Sequence, residues 1–156
     1  MAAALLTLTA ISILGIAASF VLAFLPGAMS HVGIAFFATM LNLLAHSFMM
    51  FYLIGKGKAV REAAAEAGLD GDYYRRVARF RAPVFSRAPL AMAVLMAAAI
   101  IGASVDVGVM PAWPHALLAG AALAAQIYTL VVEITALTGT TRVVDELNAA
   151  ILVRDS

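Results

Sequence analysis

Cysteine is absent from this 156-residue chain, and only 12% of its residues are charged. The lack of cysteine excludes disulfides, thiolate metal sites and a cysteine nucleophile. Soluble domains are about half apolar and about a quarter charged, whereas 64% of this chain is hydrophobic. Because a chain of this length has too small a core to hide so much apolar surface from water, the composition predicts that lipid covers part of it.

Long apolar runs are what the sequence has instead. Four of them, at 2–25, 32–54, 89–105 and 113–137, are near the roughly 20 residues that cross a hydrocarbon core. Their alanine, leucine and methionine content favours helices over the alternating strands of a barrel. The first run lacks a basic N-terminal region, so we interpret it as a span rather than as a cleaved signal peptide. The sequence therefore predicts an all-α fold, in which a single membrane domain forms an integral membrane four-helix bundle.

Lysine and arginine are missing from the connections at 26–31 and 106–112. Eight of the 10 basic residues lie between the second and third runs, and the other two follow the fourth. Basic residues beside membrane spans stay in the cytoplasm. The asymmetry predicts an N-in/C-in topology with a cytoplasmic loop at 55–88 and a cytoplasmic tail at 138–156. We expect the bacterial cytoplasmic (inner) membrane as the location.

The basic loop has an amphipathic pattern of its own. Residues 58–67 and 72–81 predict two short helices separated by a glycine-containing turn, and the second has an apolar face opposite its arginines. We expect this helix to lie on the membrane surface, with Arg75, Arg76 and Arg79 at anionic lipid headgroups. Docking of a partner subunit is the alternative. The cytoplasmic tail after the fourth span repeats the amphipathic pattern more weakly.

Two ionisable side chains, His46 and Glu133, lie within the apolar runs, on the cytoplasmic side of the middle. Asn42 is one helical turn from His46, and Gln126 is two turns from Glu133 on its own face. One interpretation is a structural clasp, in which Glu133 accepts a hydrogen bond from His46. Another is a cofactor site, because histidine can ligate haem iron and can hydrogen-bond a quinone. A proton-handling pair is the third.

A second group of candidates lies at the opposite ends of the spans. His31 and His115 open the second and fourth runs, and the adjoining connections contain Met29, Asp106 and Met110. Imidazole and thioether are ligands that copper accepts, whereas imidazole with carboxylate suits zinc. The two histidines also lie at one level, where a haem would bridge them. Ordinary interfacial residues are the alternative.

The function predicted from these features is that of a small non-catalytic membrane subunit in a larger assembly. No catalytic set of residues is recognisable, so we expect no enzyme activity and no bound cofactor. The expected partners are lipid and other membrane subunits or further copies of the chain, and no nucleic acid. Two alternatives stay open. One is an electron-transfer module with haem b, quinone or copper at either histidine pair, and the other is a small proton-coupled transporter or channel.

Overall fold

The computed structural model describes residues 1–25, 31–69 and 71–154, and these contain helices and no strand. The helices are α1 (Ala2–Leu22), α2 (His31–Glu66), α3 (Tyr73–Asp106) and α4 (Ala112–Arg154). Each is long and apolar enough to cross a membrane. The predicted all-α four-helix architecture is confirmed.

Hydrophobic layers stacked along the bundle reveal the direction of each helix. One layer takes a buried residue from every helix: Leu5, Met49, Val84 and Ala136. The next layer does the same: Ile16, Ala38, Leu95 and Ala122. Between these layers the residue numbers rise in α1 and α3 and fall in α2 and α4. The helices therefore alternate in direction, as in an up-and-down bundle.

A third layer extends beyond the end of α1 and involves only three helices. Its buried members come from α2, α3 and α4: Val60, Ala64, Val77, Val143 and Leu147. We call this three-helix extension, residues 55–66, 73–88 and 138–154, the stalk. At 1.5 Å per residue, α4 continues about 25 Å past residue 137.

The stalk corrects the prediction of separate short helices at 58–67 and 72–81. α2 continues from its apolar run to Glu66 without a break, and α3 is continuous from Tyr73 to Asp106. A change from apolar to charged composition does not end a helix, because lysine, arginine, glutamate and alanine are all good helix formers. The apolar stripe around Val77 packs on α2 and α4, so protein rather than lipid covers it.

Close packing and one ion pair hold the stalk helices together. Gly139 of α4 lies against the ring of Phe80, which occupies the space that a Cβ would need. Arg76 Nη1 of α3 lies 2.5 Å from Glu146 Oε2 of α4. The hydrogen bond from Arg76 lowers the pKa of Glu146, and the same contact raises the pKa of Arg76. Helices α2, α3 and α4 thus share an extension in which α1 takes no part.

The apolar runs expose many large hydrophobic side chains around the bundle. Phe36 and Phe37 are each 70% exposed, and Phe51 is 69% exposed. Apolar surface of this extent marks contact with lipid or with another protein. The bundle therefore has an apolar outer surface, whereas a few polar side chains are buried in its interior.

Candidate functional site

His46 lies inside the bundle, where its imidazole contacts two polar side chains of α4. Nδ1 of His46 is 2.6 Å from Oε1 of Glu133, and Nε2 is 2.7 Å from Oε1 of Gln126. All three side chains are fully buried. Gln126 and Glu133 are two helical turns apart, so the ring fits between them along one face of α4.

The proton on His46 Nε2 follows from the contacts of Gln126. The amide nitrogen of Gln126 donates to the backbone carbonyl of Ala91 in α3, over 3.0 Å. A carbonyl only accepts hydrogen bonds, so this contact fixes the amide with its oxygen towards His46. Nε2 of His46 must therefore carry a proton and donate it to that oxygen.

The contact between His46 and Glu133 also needs a proton. Without one, the lone pair of Nδ1 would face a carboxylate oxygen at 2.6 Å, which is repulsive. The proton lies either on Nδ1, in an ion pair, or on Glu133 Oε1, in a neutral pair. In both forms the pair has no net charge, which keeps its cost inside an apolar bundle low.

Asn42 faces α1 and not the imidazole. Its Nδ2 donates to Oγ of Ser12 over 3.0 Å, and Ser12 donates to the carbonyl of Thr9 over 2.7 Å. Sequence reasoning placed Asn42 beside His46 but missed Ser12 as its partner. The sequence signal for Ser12 as a partner is weak. The first apolar run contains several small polar residues, but the helix backbone alone can accept their hydrogen bonds. Asn42 Oδ1 and Glu133 Oε2 are buried and have no hydrogen-bond partner in the described part of the chain.

These contacts make His46 the centre of a clasp across three helices. It joins α2 to α4 directly and to α3 through Gln126 and Ala91. Haem or metal ligation needs a nitrogen lone pair, but Nε2 carries a proton and Nδ1 shares one with Glu133. A ligand at this histidine would have to replace one of these hydrogen bonds. The pairing of His46 with Glu133 was predictable from depth, whereas the carbonyl of Ala91 was not.

A cavity of about 410 Å³ lies among the four helices at the end opposite the stalk. We call it the His31–His115 cavity. Both histidines line it, together with Ser19 and Asp106, and most of its wall is apolar. The structure therefore brings three of the outer candidate residues, His31, His115 and Asp106, to one space.

His115 differs from His46 because the described residues engage only one of its ring nitrogens. Its Nδ1 lies 3.1 Å from the carbonyl of Ala98 and must donate to it, since a carbonyl only accepts. Nε2 makes no hydrogen bond to any residue that the structure describes. A neutral His115 therefore offers Nε2 as an acceptor. The ring rests on Gly102, where a Cβ would lie 2.7 Å from its Cε1.

The predicted outer metal set is assembled only in part. Within residues 1–25, 31–69 and 71–154, no group of three or more His, Asp or Glu side chains is arranged to hold a metal ion. Met110 lies in the turn after α3 and does not line the cavity. Met29 lies outside the described residues. Metal binding by these outer candidate residues remains a prediction.

Several arginines of the stalk already have partners. Arg75 and Arg79 lie 3.2 and 3.3 Å from Oδ2 of Asp72, and Arg76 pairs with Glu146.

The guanidinium groups of Arg61 and Arg81 instead converge on one ring, that of Tyr74, at 5.8 and 5.4 Å from its centroid. We call these three residues the Tyr74 patch. Neither of its arginines forms an ion pair with a described carboxylate.

The described part of the chain thus has three features that a function could use: the buried clasp, the His31–His115 cavity and the stalk with its Tyr74 patch. Protein-family models, curated proteins and solved structures gave no match to this chain.

Proposed function

We propose that the chain is a non-catalytic integral membrane subunit of a larger assembly in the bacterial cytoplasmic membrane, with both termini and the stalk in the cytoplasm. The observation that carries this proposal is the stalk. Three helices leave the apolar part of the bundle as one packed unit, so they hold a folded surface at a fixed distance from the membrane. A subunit that recruits or positions a partner needs such a surface.

The packing of the stalk supports this role. Val77 and Val143 are completely buried, and Leu147 is almost so. The three stalk helices therefore cover their own apolar core, and the charged side chains on the outside can face a partner. Interfaces of this kind rely on aromatic and arginine side chains, which are enriched at protein contacts.

The Tyr74 patch indicates which chemical groups the partner would present. Two guanidinium groups on one tyrosine ring lack a carboxylate in the described part of the chain, and guanidinium binds carboxylates through paired hydrogen bonds. We propose that Arg61 and Arg81 bind an acidic segment of the partner subunit. Arg75 and Arg79 are already paired to Asp72, so they are the matched comparison.

The clasp supports a structural rather than a chemical role for the interior. Both nitrogens of His46 are engaged with side chains of the same bundle. This arrangement fixes the relative height of α2, α3 and α4, as a scaffold requires.

The anionic lipid contact predicted for Arg75, Arg76 and Arg79 stays a separate proposal. At 1.5 Å per residue, Arg75 lies about 21 Å along α3 from Pro89, where the apolar run begins. Lys56 and Arg87 are nearer to the apolar runs and stack on Tyr52 and Tyr128. They are better placed for headgroup contact than the first turns of α3.

A pull-down from native membranes in mild detergent, followed by mass spectrometry, tests the proposed function. We expect a stoichiometric partner with the wild-type chain and with an Arg75→Glu/Arg79→Glu control, and loss of that partner with Arg61→Glu/Arg81→Glu. The chain running alone, or only with copies of itself, would overturn the subunit proposal. Equal loss in both double variants would overturn the assignment to the Tyr74 patch.

A further inference from the structure

The His31–His115 cavity is large enough for a small organic molecule. Its volume is about 410 Å³, within the roughly 300–1,000 Å³ of ligand pockets. For comparison, an engineered apolar cavity of about 150 Å³ in another protein binds benzene. One substituted aromatic ring therefore fits here with room for part of an alkyl chain.

The walls explain both why the space exists and what would fill it. Alanine and glycine of α3 and α4, such as Gly102 and Ala119, leave the centre empty. Rings come from Phe20 of α1, Phe24 of the turn after α1 and Phe36 of α2. Phe20 and Phe24 already form an edge-to-face pair with centroids 5.3 Å apart. Aromatic side chains favour an aromatic ligand through the same stacked and edge contacts.

The polar groups at the cavity mostly accept hydrogen bonds. Nε2 of neutral His115 is an acceptor because Nδ1 donates to Ala98. Ser19 donates its hydroxyl proton to the carbonyl of His31 over 2.9 Å, which leaves its oxygen lone pairs. Asp106 adds a carboxylate, and a neutral His31 has a single ring N–H. Acceptors therefore outnumber donors, so a hydroxyl matches the cavity better than a carbonyl.

We propose that the His31–His115 cavity binds a lipophilic phenol or hydroquinone from the bilayer, with a ligand hydroxyl donating to Nε2 of His115. The aromatic ring lies among the phenylalanines, and an alkyl chain leaves towards lipid. This site does not depend on the proposed subunit role, since it lies at the end of the bundle opposite the stalk. It involves binding alone and no electron transfer.

The test uses the full chain in lipid nanodiscs with two probes that share the ring and the decyl chain, decylhydroquinone and its dimethyl ether. Binding is measured by calorimetry, with the fluorescence of the single tryptophan, Trp113, as a reporter two residues from His115. We expect saturable binding of one decylhydroquinone per chain. The ether cannot donate a hydrogen bond, so it should bind about five- to tenfold more weakly.

Two variants locate the site. Ala119→Phe fills the cavity and should abolish binding, whereas Ala93→Phe places the same ring at an exposed position of α3 that does not line the cavity and should leave binding unchanged. His115→Phe removes the acceptor. It should reduce decylhydroquinone binding to the level of the ether and leave ether binding unchanged, which also shows that the variant is folded.

Three results would overturn the proposal. Equal affinity of the wild-type chain for both probes would mean that no hydroxyl is recognised. Retained binding in Ala119→Phe would place the probe elsewhere. A signal that rises linearly with probe concentration, without saturation, would indicate partition into the bilayer only.

Discussion

Two histidines of one bundle have opposite environments. His46 is fully buried, and both of its ring nitrogens contact side-chain oxygens. His115 is partly buried and donates from one nitrogen to a backbone carbonyl. Its other nitrogen lies beside a cavity and makes no hydrogen bond to a residue that the structure describes. The difference arises from their neighbours. Gln126 and Glu133 fill the space around the first, whereas glycine and alanine leave space around the second.

The same side chain is thus structural or available for binding according to the size and polarity of the residues that face it from neighbouring helices. At His46, the positions on the same face of α4 provide an amide and a carboxylate. At His115, the facing position of α3 is Gly102. We infer that the bundle is closed at the clasp and open at the cavity.

Removing one member of the clasp should have the largest effect. His46→Leu leaves Gln126 and Glu133 buried without their partner, and each unsatisfied buried group costs about 1–3 kcal/mol of the free energy of unfolding. We expect the double variant His46→Leu/Glu133→Leu to be more stable than either single variant, because it removes the Glu133 carboxyl as well. Thermal unfolding in detergent, followed by circular dichroism, measures this.

Glu133→Gln is the matched control for the clasp. Its amide can donate to Nδ1 of His46, so the hydrogen bond survives and stability should change little. Equal damage from the double variant and both single variants would mean that the pair does not act as a clasp, and the contrast between the two histidines would lose its basis.

Alanine substitutions at Gly139 and Gly102, with Gly55 as a control, sharpen the contrast between closed and open regions. At Gly139 the new Cβ meets the packed ring of Phe80, so we expect a loss of about 1–3 kcal/mol. At Gly102 the Cβ meets His115, which can turn into the cavity, so we expect a much smaller change. Gly55 has nothing near its Cβ position, and alanine there should stabilise the helix by about 0.5–1 kcal/mol.

Chemical unfolding of the three variants in the same detergent gives these differences. Equal losses at Gly102 and Gly139 would show that the space beside His115 cannot take up the ring, and that the two regions are packed alike.

The smallest expected effect concerns the exposed ion pair of the stalk. Arg76 lowers the pKa of Glu146, so the pair contributes stability above the ordinary carboxyl pKa and loses it as pH falls through the lowered value. The stability difference between the wild-type chain and Glu146→Gln should therefore be constant near neutral pH and vanish in acid. It should also shrink with added salt, because both side chains are partly exposed. Thermal unfolding across pH measures it, and a difference that grows in acid would contradict the assignment.

Much of the fold was readable from the sequence because hydrocarbon thickness and helix geometry leave few choices for four apolar runs. The depth of His46 and Glu133 followed from the same arithmetic. The stalk was not readable, since amphipathic helices that pack on each other have the same pattern as helices that lie on lipid. Val77 lies on the apolar face of α3 whether that face meets lipid or another helix. Its contacts with Val143 and Leu147 show that it meets another helix.

The cavity could not be predicted for a different reason. Small residues such as Ala119 and Gly102 allow helices either to close up or to leave a space, and sequence spacing does not distinguish these outcomes. The hydrogen bond from Gln126 to Ala91 was equally hidden, because backbone carbonyls carry no sequence signal. Both findings depend on the relative position of α3 and α4.

The most direct test is nitrogen NMR of the chain with labelled histidine in nanodiscs, since it contains only three histidines. We predict opposite ring states near neutral pH. His46 carries its proton on Nε2, with Nδ1 in a strong hydrogen bond that Glu133→Leu abolishes, whereas His115 carries its proton on Nδ1 and has an unprotonated Nε2. An unprotonated Nε2 on His46, or an Nε2 proton on neutral His115, would contradict the contrast between the closed and the open site.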